Sequence, residues 1–521
     1  MQTMNLTQAL HKALRESPHA NAVICGEQRS TFTQFVGRCA QLAGVLRQLG
    51  VQRGDRVGMM SLNSIRYVEY IYGTWWAGAA INPVNIRWSP HEVAYSLDDS
   101  DTKVLLVDKF FAAQAVAARE QSKSLRTLVY CGDDAPPPGM LSYEQLMADA
   151  QPLPDQGCGG DELAGVMYTG GTTGMPKGVQ LSHTNLYINA LGAVAAVSRP
   201  PSSVGLIVAP LFHVAGCGLS LQLIQRLATQ VLVPAFDEVA ILQAIQHERI
   251  SETFLVPIMI KRLIEHPRFH EFDLSSLRLM IYGAAPIDAT LLNQAMQALP
   301  QTQFCQAYGM TELAPTIAVL QPADHAPGPN QAKRLRSAGR PVPIAEVRIV
   351  DELGKELAPG QIGEICARGP MVMQGYWNKP KETAAALRDG WMHTGDGGYV
   401  DEDGYLYVVD RIKDMIVTGG ENVYSAEVEN AISCLAGVSM SAVIGVPDEQ
   451  WGERVHAVVV LHPGVELDAE AIMAHCKTQI ASYKCPRSVE FRTELPVSPA
   501  GKLQKFVLRD PYWKGRERRV N

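Results

Sequence analysis

The sequence predicts an α/β chain: a large N-terminal domain of layered α/β subdomains with a β-rich subdomain, followed by a small α+β C-terminal domain. Three observations predict it. First, short apolar runs over 104–107, 206–208, 230–233 and 279–282 alternate with longer helical patterns over 35–49 and 239–247, as in layers built on parallel sheets. Second, from residue 338 onward half-buried strand patterns over 346–350, 363–367 and 405–409 are separated by Gly and Asp turns, which suits antiparallel pairing. Third, the charged run Asp410-Arg-Ile-Lys-Asp414 and the turn at Gly419 and Gly420 precede a compact pattern: helix 426–435, strands 441–446 and 456–461, helix 469–480. No internal repeat or low-complexity tract interrupts this order.

Composition narrows the function classes. The 521 residues are 46% hydrophobic with a net charge of −7, which suits several cores and lacks the clustered cations that a nucleic-acid binder needs. Ten scattered cysteines without a C-x-x-C pair predict a reducing compartment, with neither structural disulfide nor zinc. The first fourteen residues lack the apolar core of a signal peptide, so a cytoplasmic protein is expected. The longest stretch free of Asp, Glu, Lys and Arg, 200–225, could span a bilayer by length. Pro201, Pro210, Gly205, Gly216 and Gly218 interrupt it, so it reads as a buried strand, turn and helix.

The most informative segment is Tyr168-Thr-Gly-Gly-Thr-Thr-Gly-Met-Pro-Lys-Gly-Val179, which follows an apolar run. Glycines let backbone N–H groups turn toward an anion, threonines add hydroxyl donors, and Lys177 adds a mobile positive charge. The loop is built like a polyphosphate cradle. It is not a Walker A loop, because Met175 and Pro176 separate Gly174 from Lys177 and Gly178 follows.

This segment resembles the signature of the adenylate-forming superfamily, and other motifs of that superfamily follow in order. They are Pro210-Leu-Phe-His-Val214, Tyr282-Gly-Ala-Ala-Pro286, Gln306-Ala-Tyr-Gly-Met-Thr-Glu312, Trp391-Met-His-Thr-Gly-Asp396, Asp410-Arg-Ile-Lys-Asp414, Gly419-Gly-Glu-Asn422 and Pro499-Ala-Gly-Lys502. The resemblance covers nearly the whole chain and is to the AMP-forming acyl-CoA and aryl-CoA synthetase branch. It implies a large domain over 1–410 that binds ATP and acid, a hinge over 411–414 centred on Lys413, and a mobile domain over 415–521. Thr169, Gly170, Gly171, Thr172, Thr173, Gly174 and Lys177 are then expected to hold the β and γ phosphates. Thr311 is expected at the α-phosphate and Glu312 at Mg²⁺, a hard dication suited to carboxylate and phosphate oxygens. The resemblance assigns Asp396 and Arg411 to the ribose, Tyr308 with Gly283, Ala284 and Ala285 to the adenine, and Lys502 to catalysis of adenylation.

The implied chemistry is coherent. A carboxylate oxygen will not leave, so the acid is first converted by ATP into an acyl-adenylate with release of pyrophosphate, and the acyl group then passes to a thiol. Free CoA is the expected acceptor because no carrier domain follows residue 521, and Gly419 and Gly420 would line the pantetheine passage. Next to Pro486, where some relatives place a basic residue for a CoA phosphate, this chain has Cys485. His213 resembles a residue that shapes the acid site; a hydrogen-bonded core histidine and a substrate contact both remain open for it. No Asp follows Phe212 to pair an amine, which disfavours an amino-acid substrate. The expected pocket, with His213, Val214, Gly216, Val256, Gly283, Gly309 and Met310, is apolar. A hydrophobic monocarboxylate follows, fatty or aryl, and Gly216 and Gly218 are read as room for a longer tail. Expected partners are thus the acid, ATP and CoA, with no nucleic acid and at most peripheral membrane contact. The alternatives are a standalone adenylation enzyme that loads a carrier protein and a non-catalytic adenylate-binding protein.

Overall fold

The structure, a computed structural model, describes residues 4–169, 175–411, 414–418, 421–497 and 503–514. Two large sheets form its N-terminal part. One runs in the order Gly375–Tyr376, Lys177–Ser182, Leu163–Thr169, Ala80–Pro83, Arg56–Met60, Val104–Val107, Thr127–Tyr130, Leu141–Ser142. Its interior is parallel, whereas Leu163–Thr169, Lys177–Ser182 and Gly375–Tyr376 pair antiparallel at one edge. The other runs Arg340–Pro341, Thr316–Leu320, Gln303–Gly309, Leu279–Gly283, Glu252–Leu255, Val204–Ile207, Thr229–Leu232, Asn21–Cys25, Gln28–Thr31.

Helices pack between and over these sheets because their sequences demand burial. Helix Ile65–Trp76 is apolar nearly all round, and Tyr67 through Trp76 are all buried, as a helix without a polar face requires. Three of its polar ring atoms find backbone partners: Tyr70 Oη donates to the Val57 carbonyl at 2.8 Å, Trp75 Nε1 to that of Ala164 at 2.8 Å and Trp76 Nε1 to that of Leu153 at 2.7 Å. Helix Val214–Gln225 is likewise buried on ten of its residues, and one core joins it to both sheets. The charge-free stretch 200–225 therefore folds as strand Val204–Ile207, a turn and this helix. Among the described residues no helix is long and apolar enough to cross a membrane.

Other expected elements also appear. Helix Phe32–Gln48 starts at a capping box of Thr31 and Gln34, and helix Glu238–His247 at the cap Asp237. The β-rich region is a five-stranded antiparallel sheet of Glu346–Val350, Gly363–Arg368, Trp391–Val400, Leu387–Arg388 and Leu406–Arg411. Its last strand runs two residues further than the 405–409 expected, because pairing with Trp391–Val400 continues through Asp396 opposite Arg411. A separate five-stranded sheet follows, with strands Ile416–Thr418, Glu421–Val423, Val438–Asp448, Gly452–Leu461 and Ser488–Phe491. Helices Ser425–Ser433, Ala469–Gln479 and Lys505–Trp513 pack on it around cores drawn wholly from residues beyond 414.

Candidate active site

The phosphate segment is anchored by its two ends. Thr169 ends strand Leu163–Thr169 directly opposite Lys177, the first residue of the antiparallel partner. Gly170, Gly171, Thr172, Thr173 and Gly174 lie outside the described residues. Lys177 Nζ stands 4.3 Å from the centroid of the Tyr376 ring, and Tyr376 Oη donates to Glu312 Oε1 at 2.8 Å. The lysine expected at the phosphates and the carboxylate expected at Mg²⁺ thus touch one tyrosine.

Glu312 sits with Thr311 in a short 3₁₀ turn after strand Gln303–Gly309, and both are buried. The chain reverses there through an unusually close contact: a Cβ on Gly309 would lie 1.7 Å from the Pro315 carbonyl oxygen, so only glycine fits. Helix His183–Ala196 secures the turn through Asn189 and the neighbouring segment 370–372 through Asn185, two amides one helical turn apart. Asn189 Nδ2 donates to the carbonyls of Leu313 at 2.9 Å and Thr316 at 2.8 Å, and its Oδ1 accepts from Thr316 N at 3.2 Å. Asn185 Nδ2 reaches the carbonyls of Pro370 and Val372, both at 2.8 Å. Glu312 offers oxygens of the kind a hard dication takes: Oε1 is held by Tyr376, and Oε2 accepts no hydrogen bond among the described residues. The donor chemistry fits magnesium.

The nucleoside side is assembled by neighbouring strands. Gly283 pairs with Ala307 across two parallel strands, with Ala284 just beyond in the left-handed region at φ 64°. Tyr308 Oη donates to Asp396 Oδ2 at 2.7 Å, which brings the residues expected at adenine and ribose into contact. Asp396 is 6% exposed and lies opposite Arg411 in the antiparallel ladder. The strand carrying it is braced by Glu364, whose Oε1 accepts from Gly395 N at 3.1 Å and whose Oε2 lies 2.7 Å from His393 Nδ1. Glu364, Cys366 and His393 are the one group among the described residues with metal-ligand atoms close together, yet Arg388 Nη2 reaches both Glu364 and His393. That cation already balances the cluster, and burial with the Glu364 charge pushes the Cys366 thiol up to about 12.

On the acid side, His213 caps helix Val214–Gln225, its Nδ1 accepting from Ala215 N at 3.2 Å. The preceding loop is fixed by buried Asn63, whose Oδ1 accepts from Leu211 N at 2.9 Å and whose Nδ2 reaches the Ala209 carbonyl at 3.2 Å. Val214 and Val256 are buried and Met310 is half-buried. Gly216 leaves no tail room: its missing side chain lets the helix approach the Pro210 carbonyl, 2.4 Å from where a Cβ would stand. Gly218 faces Pro315 at 3.4 Å, an ordinary contact.

Lys502, Lys413, Gly419 and Gly420 lie outside the described residues, as does the Arg411 side chain. The flanks of the first two are described. Asp410 Oδ2 accepts from Ser425 N at 2.7 Å and from its hydroxyl. Lys505, just after the Lys502 segment, reaches the same Ser425 hydroxyl and pairs with Glu429 at 2.8 Å, and Arg509 pairs with Asp414 at 3.0 Å. Cys485 is buried, Lys484 pairs with Glu427 at 2.7 Å, and the Arg487 guanidinium lies 4.6 Å from the Trp451 ring. Tyr376, Asn185, Asn189, Asn63 and Glu364 were not marked by the sequence reading. Each is a single polar residue whose partner lies far away in the chain.

Residues 10–377 match the AMP-binding enzyme family, and residues 427–502 match the AMP-binding enzyme C-terminal domain. A feruloyl-CoA synthase of Amycolatopsis sp is 41% identical over 496 residues, covering 95% of this chain and 96% of that protein. A fatty acid–[acyl-carrier-protein] ligase of Streptomyces coeruleorubidus is 35% identical, covering 100% of this chain and 98% of that one. Among solved structures, an anthranilate CoA ligase in complex with anthranoyl-AMP superposes with a TM-score of 0.90 at 28% identity, over 98% of each chain.

Proposed function

The chain belongs to the AMP-binding enzyme family, in its branch of AMP-forming carboxylic acid–CoA ligases, and from that premise we propose how its residues activate a hydrophobic monocarboxylic acid. The observation that carries the reading is the pair of contacts that join motif residues far apart in sequence: Lys177 and Glu312 on Tyr376, and Tyr308 on Asp396.

In the first step the ionised carboxylate attacks the α-phosphorus of ATP, the bond to the bridging oxygen breaks, and pyrophosphate leaves; an anionic nucleophile needs no general base. Thr169, the 170–174 loop and Lys177 hold the β and γ phosphates, and the Thr311 hydroxyl donates to the α-phosphate. Glu312 would hold Mg²⁺, which would supply charge neutralisation to the polyphosphate. Asp396, oriented by Tyr308, accepts from both ribose hydroxyls, with Arg411 beside it, while Gly283, Ala284 and Ala285 let the adenine lie against the backbone near Tyr308. Lys502 places its ammonium where charge grows on the α-phosphate oxygens. In the second step the CoA thiolate attacks the acyl carbonyl and AMP leaves with the bonding pair. For this the domain over 415–521 rotates on the domain over 1–410 about the 411–414 hinge at Lys413, and Gly419 and Gly420 replace Lys502 beside the adenylate.

His213, Val214, Gly216, Val256, Gly309 and Met310 shape the acid site. Their lack of a formal cation disfavours a second carboxylate on the substrate. The likeness to the feruloyl-CoA synthase supports an aryl acid with an unsaturated side chain as the first class to test. The likeness to the carrier-protein ligase supports a second reading, in which a phosphopantetheine thiol on a carrier protein accepts the acyl group.

The test is acid-dependent pyrophosphate release with ATP and Mg²⁺ across cinnamates, benzoates and fatty acids of increasing length, with CoA or with a carrier protein, for wild type and Lys502→Ala. Pyrophosphate and acyl-CoA from a subset of acids, lost in the variant, are expected. Acyl-AMP that reaches only the carrier protein would establish the second reading, and ATP binding without pyrophosphate on any acid would overturn both.

A further inference from the structure

Tyr376 lies outside every motif that assigns a role in the site, yet it touches two residues that have one. Its ring is 4.3 Å from Lys177 Nζ, and its hydroxyl donates to Glu312 Oε1 at 2.8 Å. We propose that Tyr376 is a positioning residue for the metal–nucleotide complex: it aims the Glu312 carboxylate and parks Lys177. This rests on the reading that Glu312 holds Mg²⁺.

The backbone of Tyr376 is fixed independently of its side chain. Gly375 and Tyr376 pair antiparallel with Gln180 and Val179, on the strand that begins with Lys177. Tyr376 N donates to Thr383 Oγ1 at 2.9 Å, and Trp377 N to the Gly178 carbonyl at 2.7 Å. The same segment grips Glu312 twice, through Met373 N to the Glu312 carbonyl at 2.9 Å and through the phenol to its carboxylate.

A ring that served only to fill space would not require a hydroxyl. Here the hydroxyl is spent on one oxygen of a buried carboxylate, which fixes the carboxylate plane and leaves Oε2 for a cation. Partners of this kind orient a ligand before the metal arrives, and their loss typically weakens metal affinity about tenfold or more. The ring face attracts the Lys177 ammonium. With both charges held on one aromatic, the cation and the carboxylate keep a set spacing before the polyphosphate enters, and less order has to be imposed on binding.

The experiment separates ring from hydroxyl. Tyr376→Phe keeps the ring and removes the hydroxyl; Tyr376→Leu removes both. Mn²⁺ affinity is read by electron paramagnetic resonance with enzyme and a non-hydrolysable ATP analogue, alongside the Mg²⁺ half-activation of pyrophosphate release and the KM values for ATP and acid. Tyr376→Phe is expected to weaken Mn²⁺ binding about tenfold and to raise the Mg²⁺ requirement, with the acid KM unchanged. Tyr376→Leu is expected to raise the ATP KM as well. Glu312→Gln is the control: in its background Tyr376→Phe is expected to cost nothing further in Mn²⁺ affinity. If Glu312→Gln weakens Mn²⁺ binding and Tyr376→Phe does not, the inference fails while the reading of Glu312 stands. If Glu312→Gln leaves Mn²⁺ affinity unchanged, that reading falls and takes the inference with it. Should Tyr376→Phe weaken Mn²⁺ binding equally with and without the Glu312 carboxylate, the hydroxyl acts through the general fold and the inference is overturned.

Discussion

At the scale of single residues, the contacts described among the residues proposed to hold the nucleotide can be tested one at a time. The phenol of Tyr308 holds one oxygen of Asp396 at 2.7 Å, so Tyr308→Phe keeps the ring proposed to meet the adenine and removes that one hold on the carboxylate. A net hydrogen bond of this kind is worth about 1 kcal/mol, which predicts an ATP KM raised by about fivefold in Tyr308→Phe with kcat little changed. Steady-state pyrophosphate release at saturating acid measures it, and an unchanged KM would mean that Asp396 is held in place without the phenol. Away from the site, His183 makes a second prediction. Its ring is buried, accepts from Leu6 N at Nδ1, and has no partner at Nε2 among the described residues, so burial lowers its pKa from 6.5 to about 4. Above pH 6.5 the ring is neutral in both states and costs nothing. As the pH falls the unfolded chain takes the proton first, so stability is lost between 6.5 and 4. By linkage the loss from this group between pH 7.5 and 5.0 is about 2 kcal/mol. Urea unfolding of wild type and His183→Asn at the two pH values should show the variant losing less by that amount; equal slopes would show that His183 protonates in the folded state.

At the scale of elements, the sheets hold because their few buried charges are paired. Glu252 opens strand Glu252–Leu255 with no exposure and faces Arg199 at 2.9 Å and Arg226, just past helix Val214–Gln225, at 2.5 Å. Burial raises the carboxyl pKa, but the two guanidiniums outweigh it and hold the group below its usual range. Glu252→Gln leaves two cations facing a neutral amide in the interior, and breaking a buried pair in this way costs about 3–5 kcal/mol. Thermal unfolding should show that loss, whereas a fall under 1 kcal/mol would mean that water reaches the arginines. Such clusters also explain what the sequence could and could not show. Apolar runs such as Val104–Val107 are local, so their elements were legible, whereas the helix Phe32–Gln48 was expected only from residue 35 because its capping pair, Thr31 with Gln34, was not read. The segment 168–179 was marked by its own run of glycines, threonines and Lys177, whereas Thr311 and Glu312 were marked only through the resemblance of Gln306-Ala-Tyr-Gly-Met-Thr-Glu312 to a family motif. Tyr376, Asn189 and Glu364 were not, since a lone tyrosine, amide or carboxylate has no period and its partner is chosen only when the sheets close. The strand end at Arg411 was missed for the same reason: the ladder with Asp396 is set by another strand, not by the charged residues themselves.

At the scale of the whole molecule, the two parts have separate cores, and polar contacts between them are among those described. The residues beyond 414 bury their own apolar clusters, and Asp410 is bonded to Ser425 across the segment read as the hinge. A second tie is further from that segment: Lys261 Nζ, on helix Pro257–Ile264, donates to the Ser439 carbonyl, on strand Val438–Asp448, at 3.1 Å. If the C-terminal part rotates between the two half-reactions, this contact exists in one orientation and is broken in the other. Lys261→Met keeps most of the aliphatic stem and removes the donor, which destabilises only the orientation seen here. A partly exposed contact of this kind is worth at most about 1 kcal/mol, a shift of up to about fivefold in the balance of two states. ATP–pyrophosphate exchange and single-turnover acyl transfer from preformed acyl-AMP are therefore expected to change in opposite directions in this variant, by up to about that factor. The half-reaction that slows is the one carried out in the orientation described. Equal effects on both would show that the tie survives the rotation and holds the two parts together without selecting between their states.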